Sequence, residues 1–161
     1  MSSKTFNTVV FICTANYYRS RFSEYLFNAL AEQHGLRWRA TSRGLKTWMA
    51  ENEGSLSEFT AYRLIAMGVP FDGERFPIPL AEADLTAATL VIAVKETEHR
   101  AMLEKQFPEW ADRIEYWHVD DIDCASPEDA LPICETYVRA LVDRLVTAER
   151  AGRKQTTRAA A

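Results

Sequence analysis

The stretch Val9-Val10-Phe11-Ile12-Cys13-Thr14-Ala15-Asn16-Tyr17-Tyr18-Arg19-Ser20 decides how the chain folds. Residues 8–12 form a continuous apolar run rich in β-branched side chains, the pattern of a strand covered on both faces. From Ser20 onward Phe22, Leu26, Ala29 and Leu30 recur at helical spacing and define one buried stripe, which ends near Gly35. Residues 13–19 are therefore a loop that leaves a buried strand and enters a helix N-terminus. Sheets of parallel strands bind ligands at such carboxyl ends.

The same alternation continues outward from this unit. Leu36, Trp38, Ala40 and Ser42 alternate with polar residues, as in a half-buried strand. Ser55-Leu56-Ser57-Glu58 reads as a capping box for a second helix carrying Phe59, Leu64 and Met67, closed by Gly68 and Pro70. The run Thr-Leu-Val-Ile-Ala-Val at 89–94 is a second fully apolar strand. A helix with Glu98, Met102, Leu103 and Phe107 follows it and stops before Pro108. Residues 114–119 suit a third or edge strand. A last helix, introduced at Ser126-Pro127 and restarted at Pro132, turns Ile133, Tyr137, Val138, Leu141, Val142 and Leu145 inward. Residues 150–161 lack such a stripe and are expected to be a frayed, disordered tail beyond a domain of residues 1–149.

The order of strands and helices predicts an α/β domain: a four-stranded parallel sheet with right-handed crossovers and helices on both faces. A length of 161 residues fits one domain, and 47% hydrophobic residues suffice for a sizeable core. The net charge of −4 argues against a nucleic-acid binder. Its distribution is uneven: residues 1–46 hold seven Lys/Arg and two Asp/Glu, a net +5, which leaves −9 for the remainder. A small anion is thus drawn to the first third of the chain. Three cysteines (Cys13, Cys124, Cys134) without paired or zinc-ligand spacing indicate neither a disulfide framework nor a metal site, and suit a reducing cytoplasm. The apolar runs are too short to span a bilayer, and no signal peptide is expected. His34, His99 and His118 show no ligand spacing and read as surface or packing residues.

A Cys and an Arg separated by five residues arise by chance in about one chain in four of this composition, so the spacing alone says little. The context says more. Successive backbone N–H groups in a loop that winds into a helix form a nest for a tetrahedral oxyanion, and the helix dipole adds positive potential there. A thiol at the base of such a nest is favoured as thiolate, the nucleophilic form. Arg19 can hold two oxygens of a phosphoryl group bidentately, which Lys cannot. Ser20 can donate a hydrogen bond from its hydroxyl to the thiolate and make Cys13 a better leaving group.

On these residues the loop resembles the active-site loop of the low molecular weight protein tyrosine phosphatases, C-x-G-N-x-C-R-S, matching at Cys13, Asn16, Arg19 and Ser20. Ser42-Arg43-Gly44 with Trp48 downstream, and the run at 89–94, are similar to further segments of that family. The resemblance implies a cysteine-dependent, cofactor-free and metal-free hydrolysis of phosphomonoesters, above all protein phosphotyrosine, through a phosphocysteine on Cys13, with inorganic phosphate as product. It implies that residues 14–18 (Thr14, Ala15, Asn16, Tyr17, Tyr18) and Ser20 line or support the phosphate loop. It further implies that Asn16 and Ser42 hold the loop by hydrogen bonds, and that Tyr17 and Trp48 border the substrate. The general acid of the family is an Asp after the fourth strand. Here that position falls in Asp120-Asp121-Ile122-Asp123, where counting from the last apolar strand residue favours Asp121 and leaves Asp120 and Asp123 open. Two loop residues depart from the pattern. Ala15 replaces a Gly, a strain of about 1–2 kcal/mol if its φ is positive, and Tyr18 replaces a second Cys. A phosphate-binding module that has lost turnover, and an arsenate reductase, are the alternative readings.

Overall fold

The computed structural model describes residues 5–160, with side chains to residue 155. Four strands, β1 (Asn7–Cys13), β2 (Trp38–Gly44), β3 (Leu90–Ala93) and β4 (Glu115–Tyr116), form one sheet in the order β2-β1-β3-β4. All pairings are parallel, as the α/β reading requires. The helices are α1 (Arg19–Gln33), α2 (Glu58–Ala66), α3 (Glu82–Ala87), α4 (Glu96–Gln106) and α5 (Pro127–Ala160), with a 3-10 turn at Thr47–Ala50.

The central strand explains the two-layer core. Side chains of a strand alternate between faces, so Val9, Phe11 and Cys13 pack with Phe22, Leu26, Val138 and Val142 of α1 and α5. Val10 and Ile12 pack on the other face with Leu85 of α3 and Leu103 of α4. Phe11 is completely buried and meets Phe27 edge-on and Trp117 at a tilt. The chain crosses from β1 to β2 on one side and reaches β3 on the other. The strand order reverses between β1 and β3, and the carboxyl ends of these two strands open the crevice where such folds bind ligands. Cys13 ends β1, and the segment from Lys95 follows β3.

Several local expectations are corrected. The N-cap of α2 is Ser57, not Ser55, and it makes no side-chain cap bond. Tertiary contacts outcompete the capping box: Ser57 N–H bonds the Tyr17 carbonyl, and the Ser55 hydroxyl goes to the Gly73 carbonyl. The final helix does not restart at Pro132 but runs through it from Pro127. It also continues to Ala160, so residues 150–160 are helical; Ala, Arg, Lys and Gln are strong helix formers, and Arg153 pairs with Glu149 one turn back at 2.6 Å. Ile133 and Phe59 are exposed, while Cys134 and Thr60 beside them are buried. The helix α3 has no long apolar stripe to announce it; Asp84 Oδ2 accepts the Ala81 N–H at 2.9 Å and Leu85 alone is buried. The edge strand β4 pairs over two residues, after which the chain bridges antiparallel from His118 to Lys95.

Candidate active site

The loop of residues 13–19 owes its shape to what its carbonyls do. The Cys13 carbonyl accepts from Leu45 N–H at 3.0 Å and that of Thr14 from Lys46 N–H at 2.7 Å. Asn16 O accepts from Arg21 Nη1 at 3.4 Å, Tyr17 O from Ser57 N–H at 3.0 Å, and Tyr18 O from Thr60 Oγ1 at 3.0 Å. Every one of these partners lies outside the loop. In a trans peptide the carbonyl of one residue and the N–H of the next point in opposite directions. The N–H groups of Thr14, Ala15, Tyr17, Tyr18 and Arg19 are thereby turned inward, and that of Asn16 points at Cys13 Sγ at 3.3 Å. The concavity is an anion nest at the start of α1.

Within the described residues Asn16 is the one non-glycine residue with positive φ, at 57°. Asn adopts this left-handed region more readily than other residues. Ala15 is therefore free of the strain considered above, because the turn is made one residue later. Cys13, 2% exposed, lies at the floor of the nest with Ser20 Oγ 2.8 Å from its sulfur. Behind the loop, Asn16 Nδ2 donates to Ser20 Oγ and to Ser42 Oγ, and Ser42 Oγ donates to Glu24 Oε1 at 2.6 Å. Arg75 closes the chain, with Nη1 on Glu24 and Nη2 on Ser42 Oγ. Glu24 and Arg75 escaped the sequence reading; Glu24 sits on the polar side of an amphipathic stripe, and nothing local marks Arg75.

Arg19 is 1% exposed and its five N–H groups can be counted. Nη1 donates to Glu98 Oε2 at 3.0 Å and to the Val119 carbonyl at 2.9 Å, and Nη2 donates to Glu98 Oε1 at 2.8 Å. Two N–H groups are left, on Nε and on the adjacent side of Nη2. Nε is buried without a protein partner among the described residues. These two form the fork that matches an oxyanion. Burial works against the Arg19 cation, but Glu98, Cys13 and Asp121 outweigh it and raise its pKa further.

Asp121 Oδ2 lies 3.4 Å from Arg19 Nη2, with its side chain 39% exposed. Asp120 is instead drawn to Lys95 Nζ at 2.9 Å, and Asp123 is exposed. Of the three candidates, Asp121 is the one the structure brings to Arg19. Tyr17 belongs to the loop, and its hydroxyl donates to the Glu53 carbonyl at 2.9 Å. Trp48 is 63% exposed and shares a recess of about 320 Å³ with Phe76 and Pro77. Pro77 precedes Ile78, whose N–H bonds Asn16 Oδ1, so this recess adjoins the loop. Tyr18 is a core residue: 5% exposed, with burial raising its phenol pKa. Arg43 and Arg39 are engaged away from the loop, Arg43 with Asp84 and Arg39 over the ring of Phe6. Burial pushes the Cys134 thiol up to about 12, which keeps it protonated and a poor nucleophile.

His99 corrects the expectation of a surface or packing role. It is completely buried, accepts the Lys95 N–H on Nδ1 at 3.1 Å, and faces Thr14 Oγ1 with Nε2 at 3.0 Å. Glu98 and His99 follow β3 and reach the site only because β3 pairs with β1. Both lie in the first turns of α4, and no local signal in the sequence marks either as part of the site.

Residues 8–131 match the family described as low molecular weight phosphotyrosine protein phosphatase. A low molecular weight protein tyrosine phosphatase from T. tengcongensis superposes with a TM-score of 0.71 at 29% identity, covering 88% of this chain and 99% of that one. Wzb of Vibrio vulnificus, solved in complex with benzylphosphonate, has the same fold at 16% identity, with a TM-score of 0.73 over 87% of this chain and 99% of its own. The protein-arginine-phosphatase of Bacillus subtilis (strain 168) is 27% identical over 106 residues, 66% of this chain and 67% of that protein. No described helix is long and apolar enough to cross a membrane. With the match spanning most of its length, the chain belongs to the low molecular weight phosphotyrosine protein phosphatase family, which holds both tyrosine and arginine phosphatases.

Proposed function

We propose that the protein hydrolyses phosphorylated protein side chains through a phosphocysteine on Cys13, without metal or cofactor. The observation that carries this reading is the Cys13 sulfur at the start of a loop whose carbonyls bond outward, with the Asn16 N–H on it at 3.3 Å and the buried Nε of Arg19 left without a protein partner among the described residues. The Cys13 thiolate attacks phosphorus from the floor of the nest while the bond to the leaving oxygen breaks. Protonated Asp121 gives its proton to that oxygen, a contribution of typically 10²–10⁴-fold. The Asp121 carboxylate then takes a proton from water as the water attacks phosphocysteine; the S–P bond breaks and inorganic phosphate leaves. Ser20 donates to the departing sulfur from 2.8 Å. The nest and Arg19 stabilise the phosphoryl oxygens in both steps without reorganising.

Phosphotyrosine is the first choice of substrate, supported by the family whose model the chain matches and by the aromatic Tyr17 within the loop. The similarity to an arginine phosphatase supports phosphoarginine as the second. Cys13→Ser should abolish hydrolysis of p-nitrophenyl phosphate while inorganic phosphate still binds, and normal turnover by this variant would sink the mechanism. A wild-type protein that binds phosphate without hydrolysing it would instead be a binding module. Comparison of kcat/KM on phosphotyrosine and phosphoarginine peptides then assigns the substrate, with arsenate reduction as a control.

A further inference from the structure

We infer that Glu98, fixed by Thr14 and His99, is the positioning residue that aims the Arg19 guanidinium at the oxyanion. This rests on the phosphatase reading of the loop. A carboxylate beside an anion site needs a reason, since its charge repels the ligand the site is built to hold. The geometry supplies one. Glu98 takes the Nη1/Nη2 edge of Arg19 with two parallel bonds of 3.0 and 2.8 Å, and Val119 O takes the other N–H of Nη1. The guanidinium is thereby fixed in rotation about its long axis, with its remaining edge toward the nest.

The carboxylate is itself held. His99 accepts a backbone N–H on Nδ1, so its neutral ring carries the proton on Nε2. Nε2–H faces Thr14 Oγ1 at 3.0 Å and Glu98 Oε1 at 3.3 Å. Thr14 Oγ1 then donates its own hydrogen to Glu98 Oε1. The relay runs from the Lys95 backbone through His99, Thr14 and Glu98 to Arg19. It ties the segment after β3 to the first loop residue after Cys13. Burial disfavours the Glu98 anion, yet the bonds from His99 and Arg19 prevail and keep its pKa well below the usual carboxylate range, while burial keeps that of His99 low. Glu98 is thus a permanent anion and His99 a permanent neutral donor at neutral pH.

Charge and orientation predict opposite signs for Glu98→Gln. Removing a repelling charge would tighten inorganic phosphate; losing one of the two parallel bonds lets the fork swing, and a misplacement of about 1 Å in such a site can cost roughly 10²-fold in rate. The inference requires the second outcome: weaker phosphate binding by calorimetry, and a fall in kcat/KM on p-nitrophenyl phosphate of about 10²-fold. It also requires that Glu98→Gln add little in an Arg19→Ala background, assayed at high enzyme concentration, because Glu98 acts through Arg19. Thr14→Val should weaken activity in the same direction and Thr14→Ser should restore most of the loss, a pair that serves even if Glu98→Gln folds poorly. Tighter phosphate binding, unchanged kcat/KM, or an equal loss with and without Arg19 would overturn the inference. If the wild type binds phosphate but turns nothing over, the phosphatase reading fails, and phosphate affinity in the same variants still tests Glu98.

Discussion

Asn16 Nδ2 donates to Ser42 Oγ at 2.9 Å, joining the turn of the loop to the end of β2 across 26 residues of sequence. The same nitrogen reaches Ser20 Oγ at 2.8 Å, Oδ1 accepts from Ile78 N–H at 3.0 Å, and the backbone sits at φ 57°. One residue therefore serves as backbone turn and as three-way tether. Asn16→Gly keeps the turn and loses the tethers, while Asn16→Ala loses both. With about 1 kcal/mol per net hydrogen bond and about 1–2 kcal/mol for a left-handed alanine, urea denaturation should rank the wild type above Asn16→Gly and Asn16→Gly above Asn16→Ala. Equal stability of the two variants would show that the left-handed turn costs nothing.

Gly44 is where β2 passes under the loop. A Cβ there would lie 2.9 Å from Asn16 N and 3.0 Å from Ala15 C, both backbone atoms that cannot step aside cheaply. Gly44→Ala should destabilise the protein by about 1–3 kcal/mol, as overpacking does, and weaken phosphate binding because the nest itself is displaced. Gly73→Ala is the control: its nearest neighbour is the Phe71 ring at 3.3 Å. A calorimetric titration of both variants with inorganic phosphate separates them.

The general acid can be told from its neighbours by leaving group. Asp121→Asn should cut kcat by about 10²–10⁴-fold on phenyl phosphate and much less on substrates with acidic phenols, whose oxygen needs no proton. Asp120→Asn breaks only the partly exposed pair with Lys95, so it should change kcat little for either. A dependence on leaving-group pKa that steepens in Asp120→Asn and not in Asp121→Asn would reverse the assignment.

Buried His99 gives the protein an acid sensitivity of known sign. Burial lowers its pKa in the folded state, so the unfolded chain takes up a proton that the folded chain refuses. Its contribution to stability is fully present above the ordinary histidine pKa of about 6.5 and is lost as pH falls below that toward the folded value. Glu98, also lowered, adds a second loss further down, below the ordinary carboxylate range. Thermal melts between pH 7.5 and 5 should show wild-type stability falling, with a shallower slope in His99→Gln. Identical slopes would mean that His99 protonates freely in the fold.

The sequence by itself determined the strand, the loop and the helix of residues 8–33, since a β-branched apolar run and a helical stripe are local signals, and the parallel order of the remaining elements follows from their alternation. It also marked Cys13, Arg19, Asn16 and Ser42, which lie in or beside recognisable segments. Among three neighbouring aspartates it favoured Asp121; in the fold Asp121 Oδ2 lies 3.4 Å from Arg19 Nη2, and Asp120 pairs with Lys95. What only the tertiary structure decided is the surroundings of the arginine. Glu98 and His99 stand 79 and 80 positions after Arg19 on a helix whose pattern looks ordinary. They converge because β3 pairs with β1 at the point where the strand order reverses, so that residues after two distant strands share one crevice. Local periodicity reports which face of an element is buried; it carries no information about which polar groups from separate elements will meet there.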